Sequence, residues 1–174
     1  FAIVVLQKNK EYDFIVSVKY FEEIFRKEFI STETDISFKT EKTDMPASVM
    51  DLDAQNKMIQ SVYACPNGVI RMSDDMKGLV ETSTNLAIVK ADKGEITATC
   101  LLRSSVDSAK SSLGNMTQSV MELAGMKVIL DGSYPGWKPN VNSAILVTMK
   151  EVYNKKFGKV PEVKVIHAGL ECGI

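Results

Sequence analysis

The sequence predicts an α+β fold, and three observations support this prediction. Two alternating strand patterns joined by the short turn "ADKG" form a β-hairpin near the middle of the 174-residue chain. Two amphipathic helical patterns of similar length lie on either side of this hairpin, over 13–29 and 107–124. Strand-like segments flank both helices, which is the order expected when helices cover one face of an antiparallel sheet.

The first forty residues are predicted to form a strand, a helix and a second strand. "FAIVVL" (1–6) is rich in β-branched residues and precedes a polar loop. Ile36 and Phe38 alternate with polar neighbours, which indicates a half-buried strand. Between them, apolar residues recur at spacings of four, three, four and four, and we expect this helical stripe to pack in the core: Phe14, Val18, Phe21, Phe25 and Phe29.

The middle of the chain carries an additional helix and the hairpin. The helix is predicted over 48–66, where Pro66 and Gly68 end it, and a polar connection around a short apolar piece follows. In the second hairpin strand, side chains alternate between two faces of the sheet. One face receives Ile96, Ala98, Cys100 and Leu102, and the other receives Thr97, Thr99, Leu101 and Arg103.

The second amphipathic helix follows the hairpin and leads into another strand. Ser105 or Asp107 is predicted to cap its start, Gly125 ends it, and "KVILDG" (127–132) has a strand pattern. The resulting order β-α-β, helix, β-β-α-β predicts a ferredoxin-like sandwich, in which an antiparallel sheet carries two helices on one face and an inserted helix is added.

A change of composition at "SYPGWKPN" (133–140) predicts a hinge or domain boundary. Beyond it, Asn142 or Ser143 caps a helix, "VKVI" (163–166) has a strand pattern, and "HAGLECG" (167–173) is its exit loop. A helix followed by a short apolar strand is typical of an α/β domain. Because the sequence opens with Phe1 in a strand pattern and closes in this loop, we expect it to be part of a longer protein.

Composition and charge exclude several classes of function. The chain is 45% hydrophobic and 25% charged, with a formal net charge of −1, so it has no electrostatic footprint for nucleic acid or an anionic membrane. Its apolar runs are too short to span a bilayer. Cys65, Cys100 and Cys172 form no C-x-x-C pair, which fits a reducing compartment, and we predict a cytoplasmic protein in which Cys100 is a buried thiol.

The ionisable residues of "HAGLECG" allow several interpretations. One interpretation is a metal contact shared by His167, Glu171 and Cys172, but their spacing matches no understood metal motif, and the chain has no H-x-D or H-E-x-x-H pattern. A thiol–imidazole pair of Cys172 and His167 is a second reading. The third is an ordinary strand end.

Arg103 is the clearest candidate for ligand binding. It lies at the end of a hairpin strand, on the face opposite the apolar residues, where its guanidinium suits bidentate capture of a carboxylate. The alternative is a solvated arginine or a surface ion pair. The residues by themselves leave both interpretations open.

Three stretches of this sequence resemble the aminoacylhistidine dipeptidases, also called Xaa-His dipeptidases or bacterial carnosinases, of the di-zinc aminoacylase/carnosinase superfamily. They are "CPNGVIRMSDDMKGLVETSTNLA", "LLRSSVDSAK", and "GSYPGWKPNVNS" followed by "VKVIHAGLECG". The resemblance covers essentially the whole chain. It implies a zinc-dependent hydrolase that cleaves dipeptides with C-terminal histidine.

The resemblance also implies a division of the chain. Residues 1–137 would form a lid domain that lacks its first strand, and residues 138–174 would belong to the catalytic domain. Two zinc ions, or other divalent metals, would be held by residues outside these 174, so the chain alone is expected to hold no metal and to be inactive. The partners that the resemblance implies are the rest of the catalytic domain and a second copy of the protein, which would form a homodimer through the lid.

For the binding site, the resemblance implies that Arg103 holds the dipeptide substrate, with His167 or Glu171 as further contacts. No catalytic residue and no metal ligand is expected within the chain. The rival hypothesis is a stand-alone ferredoxin-like module for binding or dimerisation, in which "HAGLECG" is a strand end.

Overall fold

The computed structural model describes residues 2–164, which belong to two compact units, Phe1–Met50 and Asp51–Ile174. The first unit contains a 3-10 turn and one helix, and the second contains a three-stranded sheet and three helices. In chain order these elements are the turn Lys8–Lys10, α1 (Glu11–Glu28), α2 (Leu52–Ala64), β1 (Gly68–Met72), β2 (Val80–Asp92), β3 (Glu95–Ser104), α3 (Asp107–Leu123) and α4 (Ala144–Phe157). The predicted α+β class is confirmed.

In the first unit, α1 confirms the predicted helix. Its phenylalanine stripe forms an aromatic cluster, in which the ring centroid of Phe25 lies 6.1 Å from that of Phe29 and 5.7 Å from that of Phe38. Arg26 joins the helix to the following segment, because its Nε donates to the carbonyl of Ile36 at 2.6 Å. No residue of α1 is fully buried, so within the described residues the stripe packs at a partly exposed surface and not in a core.

Three predicted strands are not strands in the described structure: 2–6, the segment around 36–38, and "KVILDG" at 127–132. A strand exists only where a neighbouring backbone completes its hydrogen-bonded ladder, and none of residues 2–164 pairs with these segments. An apolar alternation predicts which side of a segment is buried, but it supplies no pairing partner. The opposite error occurred at β1, which the sequence predicted as a polar connection. It is a strand because β2 pairs with it from Gly68↔Thr84 to Met72↔Val80.

The predicted hairpin is confirmed and forms the centre of an antiparallel sheet of order β1-β2-β3. The pairing of β2 with β3 runs from Thr82↔Ser104 to Asp92↔Glu95. Lys93 and Gly94 make the turn with φ values of 50° and 81°, and two positive φ angles give the backbone twist that matches paired strands. A bulge between Leu86 and Ile88 is the one irregularity in this pairing.

The core of the second unit lies between the sheet and α3. Burial alternates along β3, with Ile96, Ala98, Cys100, Leu102 and Ser104 on the more buried face. Helix α3 packs against β3 and β2, and α2 packs against α3. The buried apolar side chains are Leu113 and Met121 of α3 and Cys65 after α2. Since α1 belongs to the other unit, coverage of the sheet by two helices stays a prediction.

Two thiols meet within this core. The sulfurs of Cys65 and Cys100 lie 3.8 Å apart, and both are free cysteines. Removal from water, followed by the neighbouring Cys100, raises the pKa of the Cys65 thiol to about 11. Cys65 is therefore protonated and weakly nucleophilic at neutral pH. Cys100, which was predicted to be buried, is half-buried on the inner face of the sheet.

The helix starts agree with the sequence in one case and differ in another. Ser143 caps α4 by accepting from the N–H of Leu146, as predicted. Neither Ser105 nor Asp107 caps α3: the N-cap is Val106, which has no side-chain cap bond, and Asp107 is the first helical residue. The prediction was wrong because the Asp107 carboxylate accepts its hydrogen bond from a distant part of the chain, described below.

A leucine pair on α3 tests this core. Leu113 is 1% exposed, so Leu113→Ala should lower the free energy of unfolding by about 2–5 kcal/mol through lost burial and a residual cavity. Leu123→Ala in the same helix is the matched control, because Leu123 is 88% exposed, and it should change stability by about 0.5 kcal/mol or less. Urea unfolding monitored by circular dichroism gives both values, and equal losses would contradict the packing described here.

Candidate functional site

Arg103 is the last residue but one of β3, and it lies on the exposed face of that strand. Its register partner is Ser83 of β2, and Leu101 precedes it on the same face. The sequence prediction for this strand is thereby confirmed, since the apolar residues and Arg103 occupy opposite faces. Because this strand is paired, the backbone position of Arg103 is fixed. A guanidinium attached to a fixed backbone suits the recognition of a planar anion such as a carboxylate.

Beneath Arg103, hydroxyl groups fix the end of the strand. Thr82 Oγ1 and Ser104 Oγ lie 2.8 Å apart across β2 and β3, and Thr82 is 2% exposed. Ser104 Oγ also accepts from the N–H of Val106 at 3.1 Å, and the N–H of Ser105 donates to the carbonyl of Glu81 at 3.1 Å. The two residues that follow Arg103 are thus tied to β2 by side-chain and backbone bonds.

A buried carboxylate completes this end of the sheet. Glu81 is 5% exposed, and its Oε1 accepts from the guanidinium of Arg71 on β1. The same oxygen lies 3.2 Å from Thr82 Oγ1. A carboxylate removed from water needs such partners, because an unpaired buried charge costs several kcal/mol. This ion pair therefore holds β1 to the strand that carries the register partner of Arg103.

The segment from Tyr134 to Gly136 is held against the start of α3. The N–H of Gly136 donates to Asp107 Oδ1 at 2.7 Å, and Lys110 Nζ donates to the carbonyl of Tyr134. Lys110 also pairs with Asp107 at 3.1 Å, and its ammonium lies 5.9 Å from the Tyr134 ring centroid. We name these four residues, Asp107, Lys110, Tyr134 and Gly136, the clamp. The bond from Gly136, followed by Lys110, lowers the pKa of the Asp107 carboxyl, which keeps it ionised at neutral pH.

A second ion pair holds the same segment to the loop between β1 and β2. Lys138 Nζ lies 2.5 Å from a carboxylate oxygen of Asp75, and this carboxylate raises the pKa of Lys138. Both groups are partly exposed, so the pair contributes little stability by itself. Together with the clamp, it lays residues 134–138 across the end of the sheet that carries Arg103.

Sequence reasoning identified Arg103 and missed the clamp and the ion pair of Arg71 with Glu81. The clamp residues lie in "LLRSSVDSAK" and "SYPGWKPN", two stretches that are distinctive in the sequence. Nothing in the sequence indicates that these two stretches meet. His167, Glu171 and Cys172 lie outside the described residues, so the predicted contacts of the first two with substrate stay predictions. Within residues 2–164, no group of three or more His, Cys, Asp or Glu side chains is placed to hold a metal ion. No helix in that range has the length and apolarity to cross a membrane.

Comparison with known proteins finds similar sequences and structures among the dipeptidases. No protein-family model matches the chain. The cytosol non-specific dipeptidase of Escherichia coli (strain K12) is 36% identical to it over 157 residues, which are 90% of this chain and 32% of that protein. The crystal structure of aminoacylhistidine dipeptidase from Vibrio alginolyticus matches with a TM-score of 0.92 and 39% identity, over 97% of this chain and 34% of that one.

Over most of its length the chain is a homologue of these two dipeptidases, which fits the metallopeptidase superfamily. The similarity to an aminoacylhistidine dipeptidase agrees with the resemblance of the three sequence stretches. The chain spans about a third of the length of each of the two relatives.

The ion pair of Arg71 with Glu81 gives a test of the site's framework. Arg71→Ala should lower the free energy of unfolding by about 1–3 kcal/mol, because it leaves a buried carboxylate without its cation, while half-exposure of Arg71 moderates the loss. Lys57→Ala is the control, since its pair with Asp53 is exposed to solvent and its loss should leave the free energy of unfolding nearly unchanged. Adding Glu81→Gln to Arg71→Ala should recover part of the stability, and a further loss would contradict this account.

Proposed function

We propose that the protein carrying this chain is a metal-dependent dipeptidase that hydrolyses Xaa-His dipeptides of the carnosine type. The observation that supports this most strongly is the match to an aminoacylhistidine dipeptidase over nearly the whole chain at a TM-score of 0.92. We place the protein in the cytoplasm, because its Escherichia coli relative is named a cytosol dipeptidase. The chain's own part in this function is substrate binding by a lid formed by residues 1–137, with residues 138–174 belonging to the catalytic domain.

Arg103 is the residue that we assign to substrate. It is exposed on the open face of the sheet while the opposite face packs on α3, so lid closure can bring its guanidinium to a dipeptide. The C-terminal carboxylate of the dipeptide matches the bidentate donors of arginine. Closure also removes water from around this contact, which strengthens it and positions the substrate. His167 and Glu171 are proposed as additional contacts from the exit loop.

The catalytic metals are proposed to lie in parts of the protein beyond this chain. Two zinc ions, or other divalent metals, activate a water molecule for attack on a peptide carbonyl when bound. The described residues do not fit such a centre, because none of their acidic, histidine or cysteine side chains cluster in threes. We therefore assign no step at the metals to residues 2–164, and a homodimer through the lid stays a prediction.

Removal of the arginine side chain tests the substrate contact. In the full-length enzyme, Arg103→Ala should lower kcat/KM for alanyl-histidine by a factor equivalent to about 2–4 kcal/mol, the loss expected for a charge-assisted contact in a closed site. Lys90→Ala is the control, since Lys90 is a cation on the same hairpin, paired with Thr97 near the turn. Steady-state kinetics measure both, and an unchanged kcat/KM in Arg103→Ala would refute the assigned role.

The chain by itself gives a second test. Residues 1–174, purified and supplied with zinc, should show no hydrolysis of alanyl-histidine, whereas the full-length protein hydrolyses it. Metal analysis after dialysis should find no stoichiometric zinc in the isolated chain. Two bound zinc ions, or turnover, would contradict the division of labour proposed here. A full-length protein that binds neither metal nor dipeptide would instead support a stand-alone binding module.

A further inference from the structure

The clamp uses groups that would ordinarily serve the local structure of α3. Helices α2 and α4 have side-chain caps from Asp51 and Ser143, whereas α1 and α3 have none, and the N-cap of α3 is Val106. Asp107 stands in the first turn, where a carboxylate could satisfy helix N–H groups. It accepts instead from the N–H of Gly136, 29 residues away in sequence. Asp107 therefore makes a long-range bond, while the start of α3 has no side-chain cap.

Gly136 allows this contact because it has no side chain. A Cβ atom at this position would lie 2.7 Å from both the carbonyl carbon and the oxygen of Ser105, and 3.1 Å from the oxygen of Ser104. These atoms belong to the backbone and are tied to β2, so they cannot move aside as a flexible side chain would. Gly136 does not have a positive φ, so its conformation is open to other residues. The requirement for glycine is therefore one of close approach.

The backbone that Gly136 contacts directly follows Arg103. Ser104 and Ser105 are held to β2 on one side, through Thr82 and Glu81, and meet Gly136 on the other. A displacement of Ser104 and Ser105 would move the preceding residue of the strand as well. The clamp thus fixes the end of β3 against the segment in which the sequence predicts the domain boundary.

We propose that Asp107, Lys110 and Gly136 are positioning residues for substrate binding by Arg103. They hold residues 134–136 against the backbone that follows Arg103, so that its guanidinium meets the substrate carboxylate at a fixed place when the lid closes. This inference rests on the proposed function, and specifically on the role of Arg103. Misplacement of a binding group by about 1 Å costs up to about a hundredfold in rate, which sets the expected size of the effect.

The test compares a dipeptide with its amide in the full-length enzyme. Alanyl-histidine has the carboxylate that Arg103 would bind, and alanyl-histidinamide lacks it, so the ratio of their kcat/KM values reports this contact and not the general integrity of the fold. Gly136→Ala and Asp107→Ala should each lower this ratio by about tenfold to a hundredfold, because kcat/KM falls mainly for alanyl-histidine. Asp107→Asn retains the acceptor oxygen for the Gly136 N–H and should restore most of the ratio.

The control is Gly114→Ala, the same substitution in α3. A Cβ at Gly114 would meet only Leu130 Cδ1, at an ordinary 3.8 Å, so this variant should retain the wild-type ratio. If Gly136→Ala is too unstable to assay, Asp107→Ala and Lys110→Ala provide the same readout without a steric clash. The variants are also combined with Arg103→Ala, where a clamp that acts through Arg103 should cause no further loss in the ratio.

The outcomes separate this inference from the proposed function. If Arg103→Ala lowers the ratio but the clamp variants do not, the clamp has no positioning role and the function stands. If the clamp variants lower the ratio further in the Arg103→Ala background, they act on substrate by another route and the inference is overturned. If Arg103→Ala leaves the ratio unchanged, the role of Arg103 is refuted and the inference falls with it.

Discussion

The pairing of β2 with β3 is the constraint on which the second unit depends. Ten residue pairs, from Thr82↔Ser104 to Asp92↔Glu95, fix the register, and a shift by one residue would exchange the two faces of the sheet. In the observed register, Cys100 and Leu102 face the core and Arg103 faces outward. The same pairing brings Ser104 beside Thr82 and Ser105 beside Glu81, so the hairpin also organises the end of the sheet where the candidate site lies.

Polar groups at that end specify position more than they add stability. The buried Glu81 pairs with the half-exposed Arg71. Such a pair adds little net stability, but moving either partner away would leave a buried charge unpaired. The hydroxyls of Thr82 and Ser104 satisfy each other, and Asp107 is committed to Gly136. Each group would leave a neighbour unsatisfied if the strand end moved. An exposed arginine on this framework has a defined location, which suits the recognition of a small substrate.

Sequence and structure agree where a pattern contains its own partner. The hairpin carries both strands and their turn in 25 consecutive residues, Val80–Asp92 and Glu95–Ser104 with Lys93 and Gly94 between them, and it was predicted correctly. The segments at 2–6 and 127–132 have equally apolar patterns but no pairing partner among the described residues, and they are not strands. The opposite error occurred at Gly68–Met72, which is a strand that the sequence did not predict. A strand of five residues is recognised mainly through the neighbouring strand that pairs with it.

By itself the sequence determined the α+β class, the helices, the hairpin, the placement of Arg103 on the outer face and the resemblance to dipeptidases. These follow from local periodicity, turn chemistry and short motifs, which are written into neighbouring residues. Only the tertiary structure decided that Asp107 accepts from the backbone N–H of Gly136 and does not cap α3, and that "LLRSSVDSAK" and "SYPGWKPN" meet. A carboxylate at a helix start can accept hydrogen bonds from several N–H groups. Only the folded chain determines which of these groups lies within hydrogen-bond distance.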